Sequence, residues 1–378
     1  MDKFFKISER GSNVRTEIIA GLTTFFAMAY IVVTNPNQIV SFNHLAPDAD
    51  PAFQQIWNAV YVASILAAII GTLLMALYAK MPFAQACGMG LNSFFFVSFI
   101  LPEIISGGDV IKGYHAGLVI ILVSGIVFLL FSVTGLRVKV AKALPDCLKK
   151  AIPAGIGLFI AFIGLQNAGL SVDSSTLVTI ISFPENFHTA GICALLALIG
   201  LFIMAVLYTY RVKGAILYGI LGTWILGMLC QVTGIYTPDV ENGFYTLFPT
   251  LGITDFSKLG ETFGKCFTVD FDAVGIINFI VVIFSFLFVD IFDTLGTLYG
   301  ACSRGNMLTE EGEVPNFEKA MLSDAIATVT GAICGTSTVT TFVESSAGVA
   351  EGARTGLAAF TTGVLFFVAM FLSPVAVL

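Results

Sequence analysis

The sequence predicts an all-α polytopic membrane protein, and three observations carry that prediction. Of its 378 residues, 57% are hydrophobic and only 11% charged, against roughly 45–50% and about 25% in soluble domains. Mean hydropathy is +0.91. Apolar runs, such as those around "AGLTTFFAMAYIVV" and "GIINFIVVIFSFLFV", are mostly about 18 residues or longer, enough for a helix to cross a hydrocarbon core of about 30 Å. They lack the alternation of barrel strands, and the first lacks the short apolar core and cleavage site of a signal peptide.

Taken in order, the runs place spans near 16–34, 57–78, 84–101, 114–134, 151–170, 190–208, 214–234, 273–300, 319–334, 337–351 and 355–373, with the final "SPVAVL" opening a twelfth at 374–378. Basic residues concentrate in cytoplasmic loops. With a cytoplasmic N-terminus, only Lys112, Lys258 and Lys265 of the 18 Lys and Arg fall on the outer side, and one miscounted span would swap every later loop. The chain is expected to cross a membrane many times with its N-terminus in the cytoplasm, the plasma (bacterial inner) membrane being the expected location. The seven Cys form no CxxC or Cys/His cluster, so neither a metal nor a disulfide framework is expected, and no cofactor is implied. The net charge of −7 comes largely from outer-loop acids, and nothing resembles a basic nucleic-acid patch.

Two spans depart from simple helices. The third, "MPFAQACGMGLNSFFFVSFIL", runs from a Pro through small residues into an aromatic helix after Asn92. The tenth, "GTSTVTTFVESSAGVAEG", alternates Thr and Val with a strand-like period of two and becomes helix-compatible from about Val343. Extended backbone at membrane depth must pair, because an unsatisfied N–H or C=O costs several kcal/mol in lipid. Residues 84–90 and 337–342 are accordingly expected to pair as antiparallel strands, with half-helices starting near Asn92 and Val343 and the hydroxyls of 336–341 bonding locally. Interrupted segments at corresponding positions of two halves point to the substrate site of an inverted-repeat transporter. Close helix packing at Gly and Thr is the alternative.

Span eight, "FSFLFVDIFDTLGTLYG", places Asp290, Asp293, Thr294 and Thr297 on one helical face. An acid in a span faces a bundle interior or water and is functional by default. Asp290 and Glu344 are read as the titrating groups of the core, while Asp293 either touches substrate or caps a half-helix. Glu351 and Arg354 are read as an interfacial pair beyond the site.

Several of these strings together resemble the adenine/guanine/hypoxanthine permease branch of the nucleobase-cation symporter and nucleobase-ascorbate transporter superfamily: "SNVRTEIIAGLTTFFAMAYIVVTNP", "GMGLN", "VDIFDTLGT" and "GTSTVTTFVESSAGVAEGARTG". The resemblance covers essentially the whole chain. It implies a seven-plus-seven inverted-repeat transporter fold with a core domain (1–134 and 273–373) and a gate domain (135–272, resuming at 374–378). It also implies proton-coupled uptake of purine bases by core-against-gate, elevator-like motion, with sodium left open as the coupling ion, and a homodimer formed through the gate domain. Asn92, Asp290 and Glu344 match the family's purine-binding positions, and Asp293 a polar position needed for function. Cys87 stands where the family usually has Pro, so the third span is expected to bend differently. Against a seven-plus-seven fold the chain is expected to be C-terminally truncated, with eleven complete spans.

The residue chemistry agrees. A purine is flat, apolar on its faces and rimmed with donors and acceptors, so its site calls for an apolar wall and a few fixed polar groups. A carboxylate such as Glu344 accepts two N–H bonds from one base edge, each strengthened by its charge. Asn92 donates and accepts together, Gly90 admits a close approach, Phe342 and Phe25 offer a wall, and Thr294 a hydroxyl beside Asp293. For Phe25, core packing explains the residue equally well. A uracil, xanthine or anion transporter on the same fold is the alternative, although an anion calls for a central cation and none of the 18 Lys and Arg lies mid-span. An intramembrane aspartyl protease needs facing aspartates on two helices and a GxGD setting, which is absent.

Overall fold

The computed structural model describes residues 2–40, 51–135, 145–174, 177–212, 214–239, 244, 246–248, 256–268 and 276–371. The expected start of a twelfth span at 374–378 lies outside them, as do Arg137, Lys139, Lys142 and Lys213 of the basic loops. Each of the eleven expected spans has a counterpart. Seven helical segments among the described residues are long and apolar enough to cross a membrane: Val14–Val40, Ile56–Ala79, Met89–Ser106, Val110–Val133, Phe183–Thr209, Ala215–Val232 and Phe279–Arg304. Span five is the helix Asp146–Asn167, span nine the helix Phe317–Cys334, which carries Glu318, Lys319 and Asp324, and span eleven the shorter Gly356–Phe371.

Local chemistry sets the ends. Asn13 caps the first span, its side chain accepting from the Thr16 amide at 2.9 Å, and Asp109 caps the fourth through the Ile111 amide at 3.0 Å, each satisfying an otherwise orphaned helical N–H. Span two widens into a π turn at Met75–Ala79 and stops at Lys80 in the left-handed region. Span nine stops at Gly335, φ 95°, where a Cβ would lie 2.7 Å from the Thr262 hydroxyl as well as against its Cβ; only glycine turns the chain there.

Span one is not the single helix expected. Val14–Met28 ends, Ala29 and Tyr30 form a turn, and a second helix runs Ile31–Val40.

The two irregular spans are strands followed by helices, as read. β1 (Gln85–Cys87) leads into Met89–Phe95, and β4 (Val339–Thr341) into Ser345–Ala350. A small hairpin of β2 (Val172–Asp173) and β3 (Val178–Thr179) lies between spans five and six. β1 and β4 pair antiparallel with Gln85 opposite Thr341, Ala86 opposite Thr340 and Cys87 opposite Val339. The strands pack against spans one, two, eight and nine, while span nine packs on span four, and span eleven on spans one and two. Spans six and seven pack on each other, span seven touches span one, and span five runs along span eight.

Candidate functional site

The strand pair leaves no ladder ends dangling. The Phe342 amide donates to the Ala84 carbonyl and the Gly88 amide to the Thr338 carbonyl, each at 3.0 Å. The Ala84 amide donates to Ser345 Oγ at 3.0 Å, the Gln85 amide to Thr72 Oγ1 at 2.9 Å, and Thr328 Oγ1 donates to the Val339 carbonyl at 2.9 Å. Backbone at membrane depth is thus satisfied within the protein, the condition for irregular structure there. Cys87 takes its place in the ladder, and its Sγ lies 3.2 Å from Thr336 Oγ1, so the third span enters the membrane as a strand.

The half-helices begin at Met89 and Ser345, a few residues from the expected starts. Glu344 is the N-cap residue of the second, in helical rather than extended backbone and with no side-chain capping bond. Its side chain instead accepts from Tyr30 Oη at 2.6 Å. Tyr30 Oη also lies 3.6 Å from Met89 Sδ, at the start of the first half-helix. Phe342, Met89, Tyr30 and Phe25 belong to one apolar cluster, and Phe25 packs edge-on against Phe26 and Phe366 at 5.4 and 5.2 Å. Gly90 is exposed beside it.

The acids of span eight diverge. Asp293, partly buried, accepts from Thr340 Oγ1 of β4 at 3.3 Å and lies near Gly88. Asp290 is buried and accepts from Thr328 Oγ1 of span nine at 3.3 Å. Thr294, one turn after Asp290, faces the same helix and donates to Asp324 of span nine at 2.7 Å. Glu344 thus lies by Tyr30 of the apolar cluster that holds Phe342 and Phe25, Asp293 meets β4 through Thr340, and Asp290 and Thr294 face span nine.

Asn92 is fully buried, and its amide is engaged within the protein. Nδ2 donates to Asn35 Oδ1 at 2.6 Å and Gln38 Oε1 at 3.1 Å, and Oδ1 accepts from Ser337 Oγ. Asn35 in turn donates to Thr336 Oγ1 at 2.8 Å and to Ser64. Thr336, Ser337, Thr340 and Thr341 of span ten do not bond locally as expected: they reach residues of spans one, two, three, eight and nine, while Thr338 Oγ1 is buried with no hydrogen-bond partner among the described residues.

The sequence profile of the permease family matches residues 15–378. The chain belongs to the xanthine/uracil permease family. It is 39% identical over 375 residues to the guanine/hypoxanthine permease PbuG of Bacillus subtilis strain 168, covering 99% of this chain and 78% of that protein. It is 35% identical over 379 residues to the adenine permease AdeP of Escherichia coli K12, covering 100% of this chain and 76% of that protein. Among solved structures, the transmembrane domain of a cyanobacterial bicarbonate transporter, BicA, superposes with a TM-score of 0.57 at 15% identity, covering 97% of this chain and 86% of that one; the likeness is one of inverted-repeat fold. The permease is a multi-pass transporter and not a protease.

Two acids that the sequence reading passed over anchor the permease core. Asp324 of span nine is fully buried and accepts from Gln85 Nε2 at 3.2 Å, Thr341 Oγ1 at 3.0 Å and Thr294 Oγ1, so Asp290 and Glu344 are not the only acids within the spans. Glu17, also fully buried, accepts from the amides of Arg354 at 2.8 Å and of Thr355 and Ala358 at 3.3 Å, holding the start of span eleven.

Glu351 and Arg354 form no ion pair among the described residues. Arg354 donates to the carbonyls of Val349 and Ala353 at 3.0 and 2.6 Å. Glu351 accepts from the amide of Gly214, in the turn between spans six and seven. Gly352, φ 110°, reverses the chain between them. Glu351 borders a cavity of about 790 Å³ whose lining includes Asn13, Thr16, Tyr208 and Arg211. Among the described residues no cluster of three or more His, Cys, Asp or Glu is placed to hold a metal.

Proposed function

We propose that the permease imports purine nucleobases (adenine, guanine or hypoxanthine) together with protons across the plasma membrane, its N-terminus in the cytoplasm. The observation that carries this reading is the Glu344 carboxylate at the start of a half-helix, beside Phe342, Met89 and Phe25. A carboxylate is an acceptor without donors, which suits the N–H edge of a base, and the apolar side chains suit its faces. The printed names of the PbuG and AdeP relatives support the purine class. Asp293, reached through Thr340, is the second polar contact, and Asn92 and Gly90 complete the start of the facing half-helix. An acidic site disfavours an anion.

Spans one to four and eight to eleven (1–134 and 273–373) act as the core that carries the base, and spans five to seven (135–272) as the gate it moves against, which is also the surface for a second copy. The packing of spans six and seven on each other, with few partners in the rest of the bundle, supports that division. Asp290 and Glu344 are the candidate proton carriers.

Uptake of radiolabelled bases by cells lacking their own purine permeases tests the reading. Accumulation that unlabelled purines compete away and a protonophore abolishes is expected. Accumulation that survives the protonophore and is lost when sodium is removed assigns the acids to sodium, and absence of purine uptake overturns the substrate class.

A further inference from the structure

Tyr30 has no counterpart in any helix signal of the sequence. It lies in the turn between Val14–Met28 and Ile31–Val40, inside a run that reads as uninterrupted helix. Its hydroxyl lies between the starts of both half-helices, 2.6 Å from Glu344 Oε1 and 3.6 Å from Met89 Sδ. The ring itself belongs to the apolar cluster that holds Phe25, Met89 and Phe342.

We propose that Tyr30 is a positioning residue for recognition of the base, acting through Glu344. The proposal rests on the reading of Glu344 as the group that accepts the purine N–H. A glutamate has several rotatable bonds, and a ligand that must immobilise it loses affinity to that ordering. Tyr30 fixes the carboxylate beforehand. Packing alone does not account for the residue, since a phenylalanine would fill the same cluster and leave Glu344 without this bond. Competition with the ligand does not account for it either. An ionised carboxylate offers about four acceptor sites, and one phenol donor leaves the others for the N–H groups of a base.

Titration calorimetry on the purified permease, with guanine, hypoxanthine and adenine each as the titrant, tests this. Tyr30→Phe is expected to bind its base about tenfold more weakly than the parent, the loss of one hydrogen bond to a charged group, with an unchanged melting temperature. In a Glu344→Ala background, which has no side-chain acceptor for the phenol, Tyr30→Phe is expected to change the dissociation constant by less than about threefold, since the two residues act as one unit. Equal binding by Tyr30→Phe and the parent overturns the proposal, as does an equal loss with and without the Glu344→Ala change. Should Tyr30→Phe fail to fold, Tyr30→Met, which also lacks the donor, is measured against the parent in its place. A parent that binds none of the three bases overturns the recognition reading itself, whereas a parent that binds with no Tyr30→Phe effect overturns only the role given to Tyr30.

Discussion

Gln85 and Thr341 stand opposite each other in the strand pair and both donate to one carboxylate, Asp324 of span nine. Residues from the two halves of the chain are thus tied to each other and to the helix behind them by a single buried acid, which also takes the Thr294 hydroxyl.

Removing that acid is expected to loosen the strand pair. Asp324→Ala leaves three buried donors without their acceptor, at roughly 1–3 kcal/mol each, so the purified protein should melt well below the parent in a thermal unfolding scan. Thr294→Val, which removes one donor and leaves the carboxylate two, should cost less. An Asp324→Ala protein with the parental melting temperature would assign the acid no structural part.

The strand pair was legible in the sequence because membrane backbone has few options. The Thr–Val alternation before Glu344 and the small residues before Asn92 each mark a half-extended span, and each strand needs the other. The Asp324 signal was also present, an acid part-way into an apolar span, but Glu318 and Lys319 nearby make it read as a helix end. Tyr30 carries no local signal. No Gly or Pro marks the turn at Ala29–Tyr30, so tertiary contacts, and not propensity, set the break. Asn92 is similar: its place after β1 is readable, but its partners Asn35 and Gln38 come from the second half of span one. Glu351 and Arg354 mislead through spacing, since three residues apart reads as a helical pair until the turn at Gly352 separates them.

Gly348 sets how closely the span-ten half-helix approaches span one. A Cβ there would lie 2.7 Å from the Ala20 carbonyl and collide with Thr24, and backbone cannot yield as a flexible side chain does. Gly348→Ala should destabilise by roughly 1–3 kcal/mol through overpacking, read as a lower melting temperature. Gly222→Ala on span seven, where nothing lies within 4 Å, should instead be neutral or stabilising by about 0.4–1 kcal/mol.

The Glu351 contact with Gly214 joins the end of span ten to the turn between spans six and seven. If those spans move relative to the core, the contact belongs to one state of the cycle, and its loss makes that state less populated. Glu351→Ala should lower the maximal uptake rate on the order of threefold or more, while calorimetric affinity for the base stays within about twofold. Equal weakening of both would place Glu351 in the binding site instead.

The central claim is that Glu344 recognises the base. Its most direct measurement is calorimetric titration of purine into purified Glu344→Gln beside the parent. Losing the charged acceptor should leave the ligand's donors poorly paired, at roughly 1–3 kcal/mol or more, which is a loss of about tenfold or greater in affinity by a protein that still inserts and folds. A Glu344→Gln protein that binds its base as tightly as the parent would make the residue structural and place the site elsewhere.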